Sequence, residues 1–218
     1  MPYRAVIFDL DGTLLDTIED LTDSMNAALV RMGHPVQTIT TCKQLVGDGL
    51  ETFVRRALPA YAADDPRERT RLQELMRTEY RDRNSRKTHP YPGVPDLLDA
   101  LAARKVPAAV LSNKPHDSTL AVIAHYFSPW SFRAIFGARD GVPVKPDPAG
   151  AFEIARILGL GPADIAYVGD TNTDMQTATA AGMYGVGALW GFRTAEELLA
   201  NGAKALIETP MDLLPILG

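Results

Sequence analysis

Three short apolar runs constrain this chain more than any other feature: Ala5-Val6-Ile7-Phe8, Ala108-Ala109-Val110-Leu111 and Ile165-Ala166-Tyr167-Val168. Each reads as a buried strand of a parallel sheet. Each ends in a polar cluster: Asp9-Leu10-Asp11-Gly12-Thr13, then Ser112-Asn113-Lys114, then Gly169-Asp170-Thr171-Asn172-Thr173-Asp174. In a parallel sheet the carboxyl ends of all strands lie on one edge, where open α/β sheets place their ligands. Residues scattered over most of the chain can therefore converge on one site.

The first cluster carries two carboxylates two residues apart, and Gly12 then lets the chain turn sharply. Two unpaired carboxylates at a strand end are costly unless a cation sits between them. Taken alone, Asp-x-Asp also describes a turn with two solvated aspartates. A fourth polar segment, Lys145-Pro146-Asp147-Pro148, stands just before the apolar-periodic stretch 151–158.

Between the first and second runs the character changes. Residues 17–88 show helical periodicity and no convincing strand; Ile18, Leu21, Met25, Leu29 and Met32 fall at helical spacing. Further helices are expected over 45–58 and 67–83. His89-Pro90-Tyr91-Pro92-Gly93 breaks the pattern as a hinge. Beyond it, alternation predicts helix 94–103, strand 106–111, helix 118–126 and a short strand near 134–136. Helix 148–158, strand 165–168, helix 174–181 and strands 184–189 and 205–207 follow. The fold class is α/β, a doubly wound, Rossmann-like parallel sheet core of residues 1–15 and 89–218, with a helical insertion over 16–88.

The four polar segments, in this order, resemble the motifs of the haloacid dehalogenase superfamily of phosphotransferases. Those are an Asp-x-Asp-x-Thr at the first strand, a Ser or Thr at the second, a Lys before a helix, and a Gly-Asp-x-x-x-Asp at a later strand. The resemblance spans the whole chain. Within the superfamily the likeness is strongest to the phosphoglycolate phosphatases. It is carried by Val46-Gly47-Asp48-Gly49, Tyr91-Pro92-Gly93-Val94, Leu111-Ser112-Asn113-Lys114-Pro115 and Val144-Lys145-Pro146-Asp147-Pro148.

The resemblance implies an enzyme, a phosphoric monoester hydrolase that works through an aspartyl-phosphate and Mg²⁺. Asp9 is then the nucleophile. Asp11 is the general acid for the leaving alkoxide and the base for water. Haloacid dehalogenases lack that second aspartate, so dehalogenation loses its footing. Metal ligation falls to Asp9, Asp170, Asp174 and the backbone carbonyl of Asp11; Asp174 is equally well read as a first-turn helix acid. Thr13, Ser112, Asn113 and Lys145 are the expected substrate-binding residues of the core, while Asn113 and Lys114 read as well as polar loop residues. The helical block corresponds to the superfamily's cap. There Gly47, Gly49 and Arg55 are candidates for reading the leaving group, because a helix start offers free N–H groups to an anion. The expected substrate is a small phosphorylated metabolite, 2-phosphoglycolate first, held between core and cap. The rivals are a phosphomutase of the β-phosphoglucomutase kind, a phosphatase for a sugar phosphate or pyrophosphate, and a non-catalytic binding protein of the same fold.

Charge and composition narrow the partners. The net charge of −5 lies wholly outside the helical block, which carries 12 basic and 12 acidic residues against 10 and 15 elsewhere. No basic stripe marks a nucleic-acid footprint. No run approaches membrane-spanning length, and the first strand begins too early for a signal peptide ahead of it. A single cysteine, Cys42, excludes an intrachain disulfide and fits the cytoplasm. A monomer or a homodimer is compatible with all of this.

Overall fold

The computed structural model describes residues 3–218. The chain divides into two compact units, one comprising the chain up to Leu15 together with Pro90–Gly218, the other Asp16–His89. In chain order the elements are β1 (Ala5–Phe8), β2 (Leu15–Asp16), α1 (Ile18–Met32), α2 (Ile39–Leu45), α3 (Leu50–Ala57), α4 (Pro66–Arg83) and β3 (His89–Pro90). Then come α5 (Val94–Ala103), β4 (Ala108–Pro115), α6 (His116–Tyr126), β5 (Ile135–Ala138), α7 (Ala149–Leu158) and β6 (Ile165–Gly169). The chain closes with α8 (Asn172–Ala181), β7 (Tyr184–Ala188), α9 (Ala195–Ala200), β8 (Ala205–Ile207) and α10 (Leu213–Leu217).

The larger unit is built on a six-stranded sheet of order β5-β4-β1-β6-β7-β8, parallel throughout. Its two faces follow from the two-residue period of a strand. Val6 and Phe8 share one face with Val110 and Val168 and pack among Leu97 and Leu101 of α5, Val122 of α6 and Leu213 of α10. Ala5 and Ile7 share the other with Ala109 and Tyr167, against Ala151 and Ile154 of α7 and Ala178 of α8. All four residues of β1 are buried, which is why the run shows no polar alternation. Each large apolar side chain so buried contributes about 1.5–3 kcal/mol. Because β1 lies between β4 and β6, the polar clusters that follow these three strands emerge side by side.

Expected and observed elements coincide at β1, α5 and β8. Strand β4 differs: it runs on through Pro115, so Ser112, Asn113 and Lys114 belong to the strand and are buried. The helix expected over 45–58 is shorter, α3 beginning only at Leu50, while Leu45 ends the separate helix α2. Gly47 (φ 127°) and Gly49 (φ 88°) interrupt it in conformations that an L side chain seldom adopts. Among the described residues, no helix is long and apolar enough to cross a membrane.

The smaller unit consists mainly of helices α1 to α4 around Met25, Leu29, Phe53, Leu72 and Met76, all buried. It also contains a buried carboxylate. Asp20 on α1 accepts from the Lys87 N–H at 3.0 Å, the Thr88 N–H at 2.8 Å and the Thr88 hydroxyl at 2.8 Å. These bonds tie the return segment to α1. Asp20→Ala leaves those donors without their acceptor and is expected to lower unfolding free energy by about 2–4 kcal/mol. Urea denaturation of the two proteins measures the difference.

Candidate active site

The carboxyl edge of the larger unit collects four carboxylates and two ammonium groups. Asp9 follows β1 directly, and its N–H donates to the Val168 carbonyl of β6 at 2.9 Å, so its backbone is still part of the sheet. Lys145 Nζ lies 2.8 Å from Asp9 Oδ1 and 2.6 Å from Asp174 Oδ1, with the lysine side chain only 2% exposed. Asp9, Asp170 and Asp174 each present an oxygen within 4.8 Å of the others, and all three are buried. Asp11, the partly exposed member, meets Lys114 Nζ through both oxygens, at 2.9 and 3.0 Å.

The electrostatics follow from burial. Desolvation, reinforced by Asp174, outweighs the attraction of Lys145 and pushes the Asp9 carboxyl up to about 7. Asp170 is likewise raised well above the carboxylate range, by burial first and then by Asp174 and Asp9. Burial pulls the Lys145 ammonium down, yet the carboxylates of Asp174 and Asp9 together win and hold it well above the ordinary lysine value. Four carboxylates against two lysines leave two formal negative charges uncompensated. Among the described residues Asp170 makes no ion pair.

Neutral groups hold these charges in place. Thr13 donates its hydroxyl hydrogen to Asp170 Oδ1 at 2.8 Å, and the Phe192 N–H donates to Oδ2 at 2.9 Å. Two glycines make room for that carboxylate: a Cβ on Gly12, whose φ is 92°, would fall 2.3 Å from Asp170 Oδ2, and one on Gly191 2.2 Å from Asp170 Cβ. Trp190 anchors the same loop by donating from Nε1 to the Thr13 carbonyl at 2.9 Å. Asp174 sits at the third position of α8. There Thr171 donates its N–H (3.0 Å) and hydroxyl (2.6 Å) to Oδ2. Its roles as helix-start acid and as site carboxylate therefore coexist, one on each oxygen. Asn113 clamps the backbone of Lys145 from both sides: Nδ2 donates to its carbonyl and Oδ1 accepts from its N–H, each at 2.9 Å. Ser112 Oγ accepts from the Lys114 N–H at 3.2 Å.

The structure thus brings Asp9, Asp11, Thr13, Ser112, Asn113, Lys145, Asp170 and Asp174 together in one unit. Gly47, Gly49 and Arg55 belong to the other. In that unit Gly49 caps α3, Arg55 is exposed on the helix, and the neighbouring Arg56 pairs with Asp48 at 2.6 Å. Thr13 and Asn113, expected as substrate ligands, have other partners: the single hydroxyl hydrogen of Thr13 goes to Asp170, and the amide of Asn113 to Lys145. Sequence reasoning left Lys114 undecided and missed Thr171, the Phe192 N–H and Gly191. The available signal was a glycine between two aromatics, Trp190-Gly191-Phe192, just beyond a strand's carboxyl end.

Asn113→Ala removes both bonds to the Lys145 backbone. An unfolding free energy lower by about 1–3 kcal/mol and a reduced kcat are expected, because the ammonium loses its fixed position. Equilibrium denaturation and steady-state kinetics on one preparation check both.

Comparison with known proteins agrees with this geometry. The profile of the haloacid dehalogenase-like hydrolases matches residues 6–188. Phosphoglycolate phosphatase 1 of Pseudomonas aeruginosa is 32% identical over 215 residues, covering 97% of this chain and 79% of that protein. The phosphoglycolate phosphatase of Pseudomonas putida shows the same identity and coverage. A crystal structure from Lactobacillus delbrueckii subsp. bulgaricus, provisionally named a phosphoglycolate phosphatase, superposes with a TM-score of 0.92. It is 32% identical, and the match covers 100% of this chain and 99% of that one.

Proposed function

The chain belongs to the haloacid dehalogenase-like hydrolase family and is a phosphatase, and from that premise we propose that it is a Mg²⁺-dependent phosphomonoesterase acting on 2-phosphoglycolate through an aspartyl-phosphate. The observation that carries the reading is the Asp9–Lys145–Asp174 bridge with Asp170 beside it and Asp11 two residues on. The substrate assignment rests on the phosphoglycolate phosphatases to which the chain is similar.

Asp9 supplies the attacking oxygen. Lys145 holds Oδ1 at 2.8 Å, which orients the carboxylate on a rigid sheet edge. Asp11 gives a proton to the departing alkoxide and later takes one from the water that hydrolyses the acyl phosphate. Ser112 donates its hydroxyl hydrogen to a phosphoryl oxygen, and Lys145 adds positive charge there. Thr13 and Asn113 act as positioning residues, the first for Asp170 and the second for Lys145.

The acidic trio fits a divalent cation. The carboxyls of Asp9 and Asp170 are both driven up, by burial first and then by the charge of Asp174, and two formal charges lack a cationic partner among the described residues. Asp9, Asp170, Asp174 and the Asp11 carbonyl would hold Mg²⁺, whose chemistry when bound is to neutralise charge on the phosphoryl oxygens. We assign the cap role to the helical unit, with Gly47, Gly49 and Arg55 as its candidate specificity residues. Cys42 is buried and free, in keeping with a cytoplasmic setting.

Asp9→Asn is nearly isosteric and removes the nucleophile. It is expected to keep the fold and retain less than about 1% of wild-type kcat. Release of inorganic phosphate from 2-phosphoglycolate, glucose phosphates and pyrophosphate provides the assay, and a variant with substantial turnover overturns the nucleophile assignment.

Dialysis against EDTA is expected to abolish phosphate release, with Mg²⁺ restoring it and Ca²⁺ inhibiting because it prefers looser, higher coordination. Full activity in excess chelator would refute the metal requirement.

A further inference from the structure

We propose that Lys114 determines specificity, its ammonium receiving an anionic substituent carried on the leaving group, a carboxylate one carbon from the ester oxygen. The proposal rests on the phosphomonoesterase reading above and names which core residue selects the substrate class.

The two buried lysines of the site lie on different carboxylates. Lys145 bridges Asp9 and Asp174, on the nucleophile's side. Lys114 contacts both oxygens of Asp11 at 2.9 and 3.0 Å, with its side chain 4% exposed against 12% for Asp11. Phosphoryl transfer runs in line, with attacking and leaving oxygens on opposite sides of phosphorus. A lysine tied to the acid therefore stands on the leaving-group side.

Reach supports the assignment. To protonate the leaving oxygen, Asp11 must approach it within about 2.6–3.2 Å. An ammonium 3.0 Å from Asp11 then lies within roughly 6 Å of that oxygen. A carboxylate on the adjacent carbon places its own oxygens about 2.5–3.5 Å from the ester oxygen by covalent geometry, within a charge-assisted hydrogen bond of the ammonium.

The residue type points the same way. A neutral donor would orient Asp11 without the desolvation cost of a buried ammonium. A full charge adds the ability to bind a second anion. A lysine ammonium does so as a compact point charge with rotatable donors, so it can hold Asp11 and a substrate carboxylate together. Lys114 and Asp11 belong to the same unit, so the selection is built into the core.

The test compares 2-phosphoglycolate with n-propyl phosphate, a neutral leaving group of similar length, in wild type, Lys114→Met, Lys114→Gln and Lys114→Arg. Lys114→Gln keeps a neutral donor near Asp11, on a side chain one atom shorter, and removes the charge. If the proposal holds, Met and Gln lower kcat/KM for 2-phosphoglycolate about 10- to 100-fold more than for the propyl ester. Arg recovers most of that difference. An equal loss on both esters means that Lys114 serves only Asp11 and overturns the proposal, as does no loss on either. Turnover of the propyl ester reports that the variants are folded. If wild type prefers a different anionic ester, such as 2-phospholactate, the assignment to 2-phosphoglycolate falls. The same comparison on that ester still decides Lys114. A wild type that prefers the neutral ester to every anionic one overturns both.

Discussion

A buried ammonium shared by two carboxylates sets the terms for the rest of this molecule. Lys145 lies 2.8 Å from Asp9 and 2.6 Å from Asp174 in a setting from which water is almost entirely withdrawn. Such a cluster is weak evidence for stability, since desolvation consumes most of what attraction supplies. It persists because each member is pinned independently. The sheet fixes Asp9 through its N–H, Asn113 fixes the Lys145 backbone, and Thr171 fixes Asp174. Strained charge of this kind is characteristic of sites that do chemistry.

The surrounding architecture supplies the rigidity. Alternate residues of β1 fill two separate apolar layers, one with Val6 and Phe8, the other with Ala5 and Ile7. The central strand is therefore clamped from both faces and hydrogen-bonded on both edges. Its carboxyl end is therefore a firmly held position from which to project an aspartate. Stability is generated in the two apolar layers and spent at the sheet's edge, where the buried carboxylates repel one another.

Much of this was legible in the sequence, and the failures share a cause. Strands β1 and β8 and helix α5 are local patterns of apolar residues bounded by polar ones, and their limits fall where the pattern ends. Strand β4 overran its pattern because Ser112, Asn113 and Lys114 are polar yet buried; their partners lie outside the strand's own apolar pattern, as Lys145 and Asp11 show. Helices α2 and α9 are short and carry too few apolar positions to show a period. At the site, the charged residues other than Lys114 announced themselves by type and order. The partners of Thr13 and Asn113 did not, because a hydrogen bond spanning 157 or 32 positions leaves no local trace.

The charge balance also dictates the order in which the site can be filled. Among the described residues Asp9, Asp11, Asp170 and Asp174 pair only with Lys114 and Lys145, so with all four ionised the edge is formally negative by two, the charge that burial and repulsion resist by raising the carboxyls of Asp9 and Asp170. A phosphomonoester brings further negative charge to the same place. Coulomb repulsion at a few ångströms in a partly dry site would exclude it, since even at an effective dielectric of 20 each like-charge pair at 4 Å opposes binding by about 4 kcal/mol. The lysines offset this only in part, because each ammonium also serves a resident carboxylate. On the proposed reading a divalent cation at the acidic trio would bring the edge to neutrality, so that Lys145 and Lys114 would present net attraction to a phosphoryl group and to an anionic leaving group. Among the described residues Asp170 is the one carboxylate of the site with no lysine partner, held instead by the hydroxyl of Thr13 and the N–H of Phe192. Those neutral donors orient a carboxylate without neutralising it, as the proposed role of Asp170 in holding a cation would require.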